Sequence, residues 1–499
     1  MNNLKPWVAI CGVVLLLFSC TDLIEKPYSE AQPKDFFVND KSLEATLIPA
    51  YAALRPYTWN YWNATQCSSD ETRIIFREGF LGLIQLNFHI FNAGNEIFLG
   101  LWQDLFDGVG KCNIALSVVS EASDKLPSKT RTLAELRTLR AFYYFLLVDT
   151  FGNVPIVTAT GTIPPQAGQD TRKTVFEFCI RELEAVVHDL PLDAPVGRVS
   201  RGVANAILTK LYLNAEVFAG VPRWNECIKA ADAVLASNKY SLETNYFDNF
   251  RLNNSDSKEA IFTIQFDSKT DLGFPNQNFY MRTLHYNQAP ASPWNGFCTI
   301  AEFYDGFAQN DPRRQVLWFG KQFENLTWPQ AQTTGKALTT RNGQPLFFTK
   351  EVFPLNSSEN MGVRVVKYEP DVLAPGGQGD NDYLIFRLSD MMLAKAEALF
   401  RIGRRDEALS LINTIRRRAF KNTQDADLKT IALKDIYNER GFELFWEGFR
   451  RQDMIRFGTF WEAYTSKPNT QSSRTKTLLF PIPTQILANF PNFKQNSGY

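Results

Sequence analysis

Residues 383–419, YLIFRLSDMMLAKAEALFRIGRRDEALSLINTIRRRA, are where the fold reads most directly. On both sides of Gly403 apolar residues recur at three- and four-residue steps, the period of an amphipathic helix. A glycine between two such runs hinges them, so the spacing predicts helices over Tyr383–Arg401 and Asp406–Ala419. Ala394, Ala396, Ala398 and Ala408 are small enough to let the two helices cross closely. The same order stands at 215–234 when it is laid beside 396–415: Ala-Glu, a glycine-centred turn, a second amphipathic helix. Further out, helical runs are expected over Leu43–Leu54 and Leu99–Val119. Another carries Leu133, Leu136, Tyr143, Leu146 and Leu147 on one side and stops at Phe151-Gly152-Asn153-Val154-Pro155. Thr174–Leu190 is stopped by Pro191, and Val203–Phe218 pairs with Trp224–Leu235 around Gly220-Val221-Pro222.

Helix-turn-helix pairs of about 34 residues are the tetratricopeptide unit, which buries its apolar faces only by stacking. The expected fold is therefore all-α, a tetratricopeptide-like helix-pair scaffold in two parts, 39–237 and 383–499, the second ending in a docking tail. Residues 238–382 have another texture, rich in Asn, Gly, Pro, Thr and aromatics, with a strand signal at Ala260–Phe266 and a helical one at Phe303–Phe307. A structureless connection of that length is exceptional, so this part reads as a loop-rich, ligand-binding insert containing short strands. Loops held by a rigid scaffold are where binding residues concentrate.

The N-terminus sets the compartment. A basic start, the apolar run Val8–Phe18 and a small residue before Cys20 read as a secretory signal over 1–19, too short to span a bilayer. Leu17-Phe18-Ser19-Cys20 resembles a bacterial lipobox, which makes Cys20 the lipidation site and 20–38 a lipidated tether. Lys plus Arg balance Asp plus Glu at 53 each, without a concentrated basic face, which argues against nucleic acid as a partner. The cysteines left in the body (Cys67, Cys112, Cys179, Cys227 and Cys298) are odd in number and lack C-x-x-C spacing. His89, His188 and His285 stand far apart. No disulfide scaffold, metal site or cofactor is indicated.

Several motifs, in order along the mature chain, resemble the SusD/RagB family of outer-membrane nutrient-binding lipoproteins. They are Cys20-Thr-Asp-Leu-Ile-Glu-Lys-Pro27, Arg137-Thr-Leu-Arg-Ala-Phe-Tyr-Tyr144, Phe151-Gly-Asn-Val-Pro155 and Arg198-Val-Ser-Arg-Gly-Val-Ala204. Asp382-Tyr-Leu-Ile-Phe-Arg-Leu-Ser-Asp390, Glu439-Arg-Gly-Phe-Glu-Leu444, Glu447-Gly-Phe-Arg450 and the tail Phe480-Pro-Ile-Pro483 with Gln495-Asn-Ser-Gly-Tyr499 follow. The resemblance implies a non-catalytic surface protein, lipid-anchored to the cell outer membrane. It would capture an oligosaccharide, or in some members a peptide or glycopeptide, and cap a SusC-like TonB-dependent transporter. Arg137, Arg140, Arg387, Arg440 and Arg450, with Glu397, Glu439, Glu443 and Asp453, read instead as ion pairs tying helices together.

A glycan site needs flat apolar surfaces for sugar rings and planar polar groups for paired hydroxyls. Two stretches supply both: Trp59-Asn60-Tyr61-Trp62-Asn63, followed by Ser68-Ser69-Asp70-Glu71, and Ser292-Pro293-Trp294-Asn295-Gly296-Phe297-Cys298. The expected ligand contacts are Trp59, Tyr61, Trp62, Asp70, Trp294, Asn295 and Arg364, with Cys298 as a pocket wall. Alternatives stand beside these: the loop tryptophans as packing plugs, and Asp70 as a helix cap. A surface glycoside hydrolase would instead need two facing carboxylates, drawn from Asp70 or Glu71 with Asp305.

Overall fold

The computed structural model describes residues 39–75, 80–267, 279–353, 357–421, 426–467 and 478–499. The signal segment, Cys20 and the tether lie outside the described residues. Helices predominate among the described residues, and the few strands pair only two at a time.

Helix Glu96–Glu121 starts where the Asn95 side chain accepts the Ile97 amide at 3.0 Å, satisfying one of the first turn's free donors. It packs on Lys129–Thr150, which packs in turn on Arg172–Val186. The middle helix is buried on almost every side from Ala134 onward, so its apolar residues show no single stripe. Arg201–Leu213 packs on Trp224–Leu235, and Trp224–Leu235 on Leu388–Arg401, which is followed by Arg405–Ala419. The two helix pairs read from the sequence thus stack on each other, with Lys395 paired to Asp232 across the contact. Gly403 joins its pair with φ of 87°, a left-handed conformation that an L side chain resists.

Three expectations are corrected. Leu43–Leu54 divides into Asp40–Ala45 and Leu47–Ala52, because Pro49 has no amide to give to Ala45, four residues back, and its ring crowds that carbonyl. Val203–Phe218 breaks at Asn214, whose side-chain amide donates to the Lys210 carbonyl at 2.9 Å and caps Arg201–Leu213. Tyr383–Arg387 is not helical. These five buried residues form a strand antiparallel to Ala260–Ile264, and the helix begins only at Leu388.

Buried ions bind the strands to the C-terminal helices. Arg387, fully buried, donates to Glu259, Glu443 and Glu447. Arg313 reaches Asp311, Glu439 and Glu443, and Arg440 bridges Asp390 and Asp453. Each charge taken out of water has bonded partners, as burial requires. The tail closes the fold: the Phe480 amide donates to the Thr150 carbonyl at 2.8 Å, and its ring stacks on Phe98. One continuous apolar core runs from Leu43 to Phe493. A smaller one under the insert holds Trp318, Leu346 and Phe348, with Trp294 packed at its edge.

Candidate functional site

The two aromatic stretches meet. Trp59 ends the Arg55–Thr58 turn and caps helix Asn60–Cys67, so the first stretch opens a helix rather than forming a loop. Trp294 sits in a loop whose flanking Ser292 and Asn295 are both left-handed, with φ of 51° and 52°. Its amide donates to the Met281 carbonyl at 2.6 Å. A two-stranded ladder joins the stretches, Arg73 opposite Cys298 and Ile74 opposite Phe297. The indoles of Trp59 and Trp294 are half-buried and meet edge to face, centroids 6.1 Å apart at 86°. Phe80 extends the cluster, 6.5 Å from Trp294.

Trp59 stands half-buried at the helix's N-terminal end, whereas every residue from Tyr61 to Cys67 is buried, so the helix is enclosed on all faces once it enters the core. Tyr61 and Trp62 are fully buried, which corrects their expected place as platforms. Tyr61 stacks on Tyr57 and donates its hydroxyl to Asp149 at 3.2 Å. Trp62 donates its indole N–H to the Trp446 carbonyl at 3.0 Å, between the rings of Phe279 and Trp446. Asp70 is buried and caps no helix: both its oxygens accept from Arg450, at 2.8 and 2.9 Å. Glu71 accepts from Gln66 and the Trp446 amide, and burial pushes its carboxyl up to about 8. Asp305 is exposed and paired with Lys350. The carboxylates considered for hydrolysis are therefore committed to protein partners.

Cys298 is fully buried, its thiol pushed up to about 11 by desolvation. Arg364 is buried too, which corrects its expected contact with hydroxyls. Its guanidinium donates to Asn295 Oδ1 at 2.6 and 3.2 Å and to the carbonyls of Glu359, Met361 and Gly362. Asn295 is 4 % exposed and returns a bond to the Glu359 carbonyl. These two residues position the Trp294 loop from beneath. Burial brings the Arg364 guanidinium down to about 10.

Arg282, absent from the sequence reading, does the same for the other tryptophan. Fully buried, it donates to the Thr58 carbonyl at 2.6 Å and lies 5.1 Å from the Trp59 ring and 4.6 Å from Trp62. Its only sequence signal is an arginine among aromatics at Phe279-Tyr-Met-Arg282. Among the described residues no group of three or more His, Cys, Asp or Glu is placed to hold a metal ion, and no helix is long and apolar enough to cross a membrane.

Stacked helix pairs, a loop-rich insert and a half-buried tryptophan pair where the two meet define a helical-repeat scaffold with an aromatic surface built from a helix start and a loop. The chain belongs to the SusD family: residues 258–499 match the family model described as "SusD family", and residues 23–213 match one described as "Starch-binding associating with outer membrane". It is 26% identical over 413 residues to the starch-binding protein SusD of Bacteroides thetaiotaomicron, covering 74% of this chain and 73% of that one. A SusD superfamily protein from Parabacteroides distasonis superposes with a TM-score of 0.74 at 22% identity, over 92% of this chain and 99% of that one. Surface glycan-binding protein A from Bacteroides thetaiotaomicron, in complex with laminarihexaose, gives 0.70 at 20% identity, over 92% and 99%.

Proposed function

We propose that this protein captures oligosaccharides at the Trp59–Trp294 surface and passes them to a SusC-like TonB-dependent transporter without chemistry of its own. On this reading it is anchored to the outer membrane through lipid on Cys20. The observation that carries the reading is the convergence of two half-buried indoles, each held from below by a buried arginine, Arg282 or Arg364. An indole kept still at the surface offers the C–H faces of a sugar ring apolar area at little entropic cost. The starch-binding and glycan-binding names of the relatives support the same class of ligand. Enclosure against a transporter would be a two-state motion, which a ligand favours only through contacts missing in the open state.

The test is calorimetric titration of the mature chain with laminarihexaose and other neutral oligosaccharides, beside Trp59→Ala and Trp294→Ala. Each variant should weaken binding at least ~10-fold, about 1.4 kcal/mol, as an aromatic anchor does. The melting temperature should hardly move, because both rings sit at the rim. Full affinity in the double variant would remove the site from this surface, and release of shortened sugars would make the protein an enzyme.

A further inference from the structure

The insert holds a cleft of about 800 Å³ lined by Tyr304, Arg314, Phe319, Lys321, Thr327 and Gln330, among others. Its charges are one-sided. Among the described residues the single carboxylate on its wall, Asp311, is 4 % exposed and taken by Arg313, which donates to both its oxygens at 3.0 and 2.7 Å. The two cations on the wall have no carboxylate within ion-pair distance among the described residues. Arg314 lies over the Tyr304 ring at 4.2 Å, and its Nε is buried without a hydrogen-bond partner. Lys321 is exposed, its ammonium 5.4 Å from the Phe323 ring.

Beside the cations runs an exposed aromatic ridge. Phe319 is 41 % and Phe347 44 % exposed, their centroids 5.9 Å apart, and Phe319 lies 5.8 Å from Tyr304. Large rings left in water at one place mark a contact surface more often than chance exposure does. Strand Leu317–Trp318 forms one wall of this cleft and pairs with Arg364–Val365, with Trp318 opposite Arg364. The cleft therefore shares its ladder with the arginine that positions Trp294.

We propose that this cleft is a second sugar subsite selective for an anionic saccharide unit, a ring bearing a carboxylate or a sulfate. A planar guanidinium already stacked on tyrosine receives two oxygens of such a group in a fixed fork, while lysine adds only a point charge. Phe319 offers the ring its apolar face, and Thr327 and Gln330 offer hydroxyl partners. This subsite rests on the glycan-capture reading and adds the chemical class to it.

Three hexamers of equal length separate the possibilities: neutral laminarihexaose, sulfated laminarihexaose and hexagalacturonate. They are titrated into the mature chain and into Arg314→Gln, Arg314→Lys, Lys321→Gln and Trp294→Ala, with melting temperatures alongside. At least one anionic hexamer should bind more tightly than the neutral one, with an affinity that falls as salt rises. Arg314→Gln should weaken it about tenfold and flatten the salt dependence, Arg314→Lys should keep the salt dependence but not the affinity, and neither should touch laminarihexaose. Which anionic hexamer responds decides between carboxylate and sulfate. Lys321 is exposed, so Lys321→Gln reads the charge without risk to the fold. Equal binding of all three hexamers, or anionic binding indifferent to both Gln variants, overturns the proposal. Anionic binding that needs Arg314 but survives Trp294→Ala would uphold this subsite while removing the tryptophan surface from the function.

Discussion

Asn295 makes the coupling between buried charge and surface aromatic measurable. Its side-chain oxygen takes two of the bonds that the Arg364 guanidinium makes, at 2.6 and 3.2 Å, and its backbone is left-handed at φ 52°. In Asn295→Ala both N–H groups lose their acceptor inside a site closed to water, a loss of ~2–6 kcal/mol at the usual penalty for two unpaired buried donors. Alanine is also less at ease than asparagine in the left-handed region, which adds about 1 kcal/mol. Asn295→Gly removes the same acceptor but keeps the backbone at ease, so it should recover about that last 1 kcal/mol. Both variants release the loop carrying Trp294, so glycan affinity should fall although neither touches the sugar. The assay is urea unfolding of wild type and both variants, followed by titration of laminarihexaose below the unfolding range. An Asn295→Ala chain that unfolds at the wild-type midpoint and binds with wild-type affinity would refute the reasoning. So would an Asn295→Gly chain less stable than Asn295→Ala, which would remove the conformational part of the argument.

Trp62→Ala should cost ~3–5 kcal/mol, since it empties a fully buried site between Phe279 and Trp446. Its unfolding midpoint must therefore fall, and lost affinity at an unchanged midpoint would put this ring back in the binding surface. Glu71→Gln tests a raised acid. The folded carboxyl holds its proton to about pH 8, whereas an unfolded one releases it near ~4.3, so the folded state carries the extra proton between those values. The stability associated with Glu71 is full below the lower value and is lost as pH rises toward about 8. Thermal melts at pH 5 and pH 8.5 should show the variant gaining on wild type at the higher pH, and an unchanged difference would mean that Glu71 is ionised in the fold.

The long helices were legible because their cause is local. Three- and four-residue spacing over Leu99–Val119 or Trp224–Leu235 decides which face must be buried, whatever the partner. Hinge glycines and capping residues act within a turn, so Gly403 and the ends it joins could be read directly. Tyr383–Arg387 was misread because an apolar run of that length fits a buried helix or a buried strand equally well. Its partner, Ala260–Ile264, lies in the other part of the chain. The motif arginines read as structural are so, since Arg387, Arg440 and Arg450 each end on buried carboxylates.

The sequence alone determined the helical-pair scaffold, the family and the two stretches from which an aromatic surface would come. It could not rank the aromatics within them. Whether Trp62 or Trp59 faces water depends on where the helix enters the core and on Trp446 arriving from the far end of the chain. Whether Arg364 meets a ligand or a loop depends on Asn295 lying beneath the same turn. Exposure is what remains once every other segment has packed, and so the tertiary structure alone could decide it.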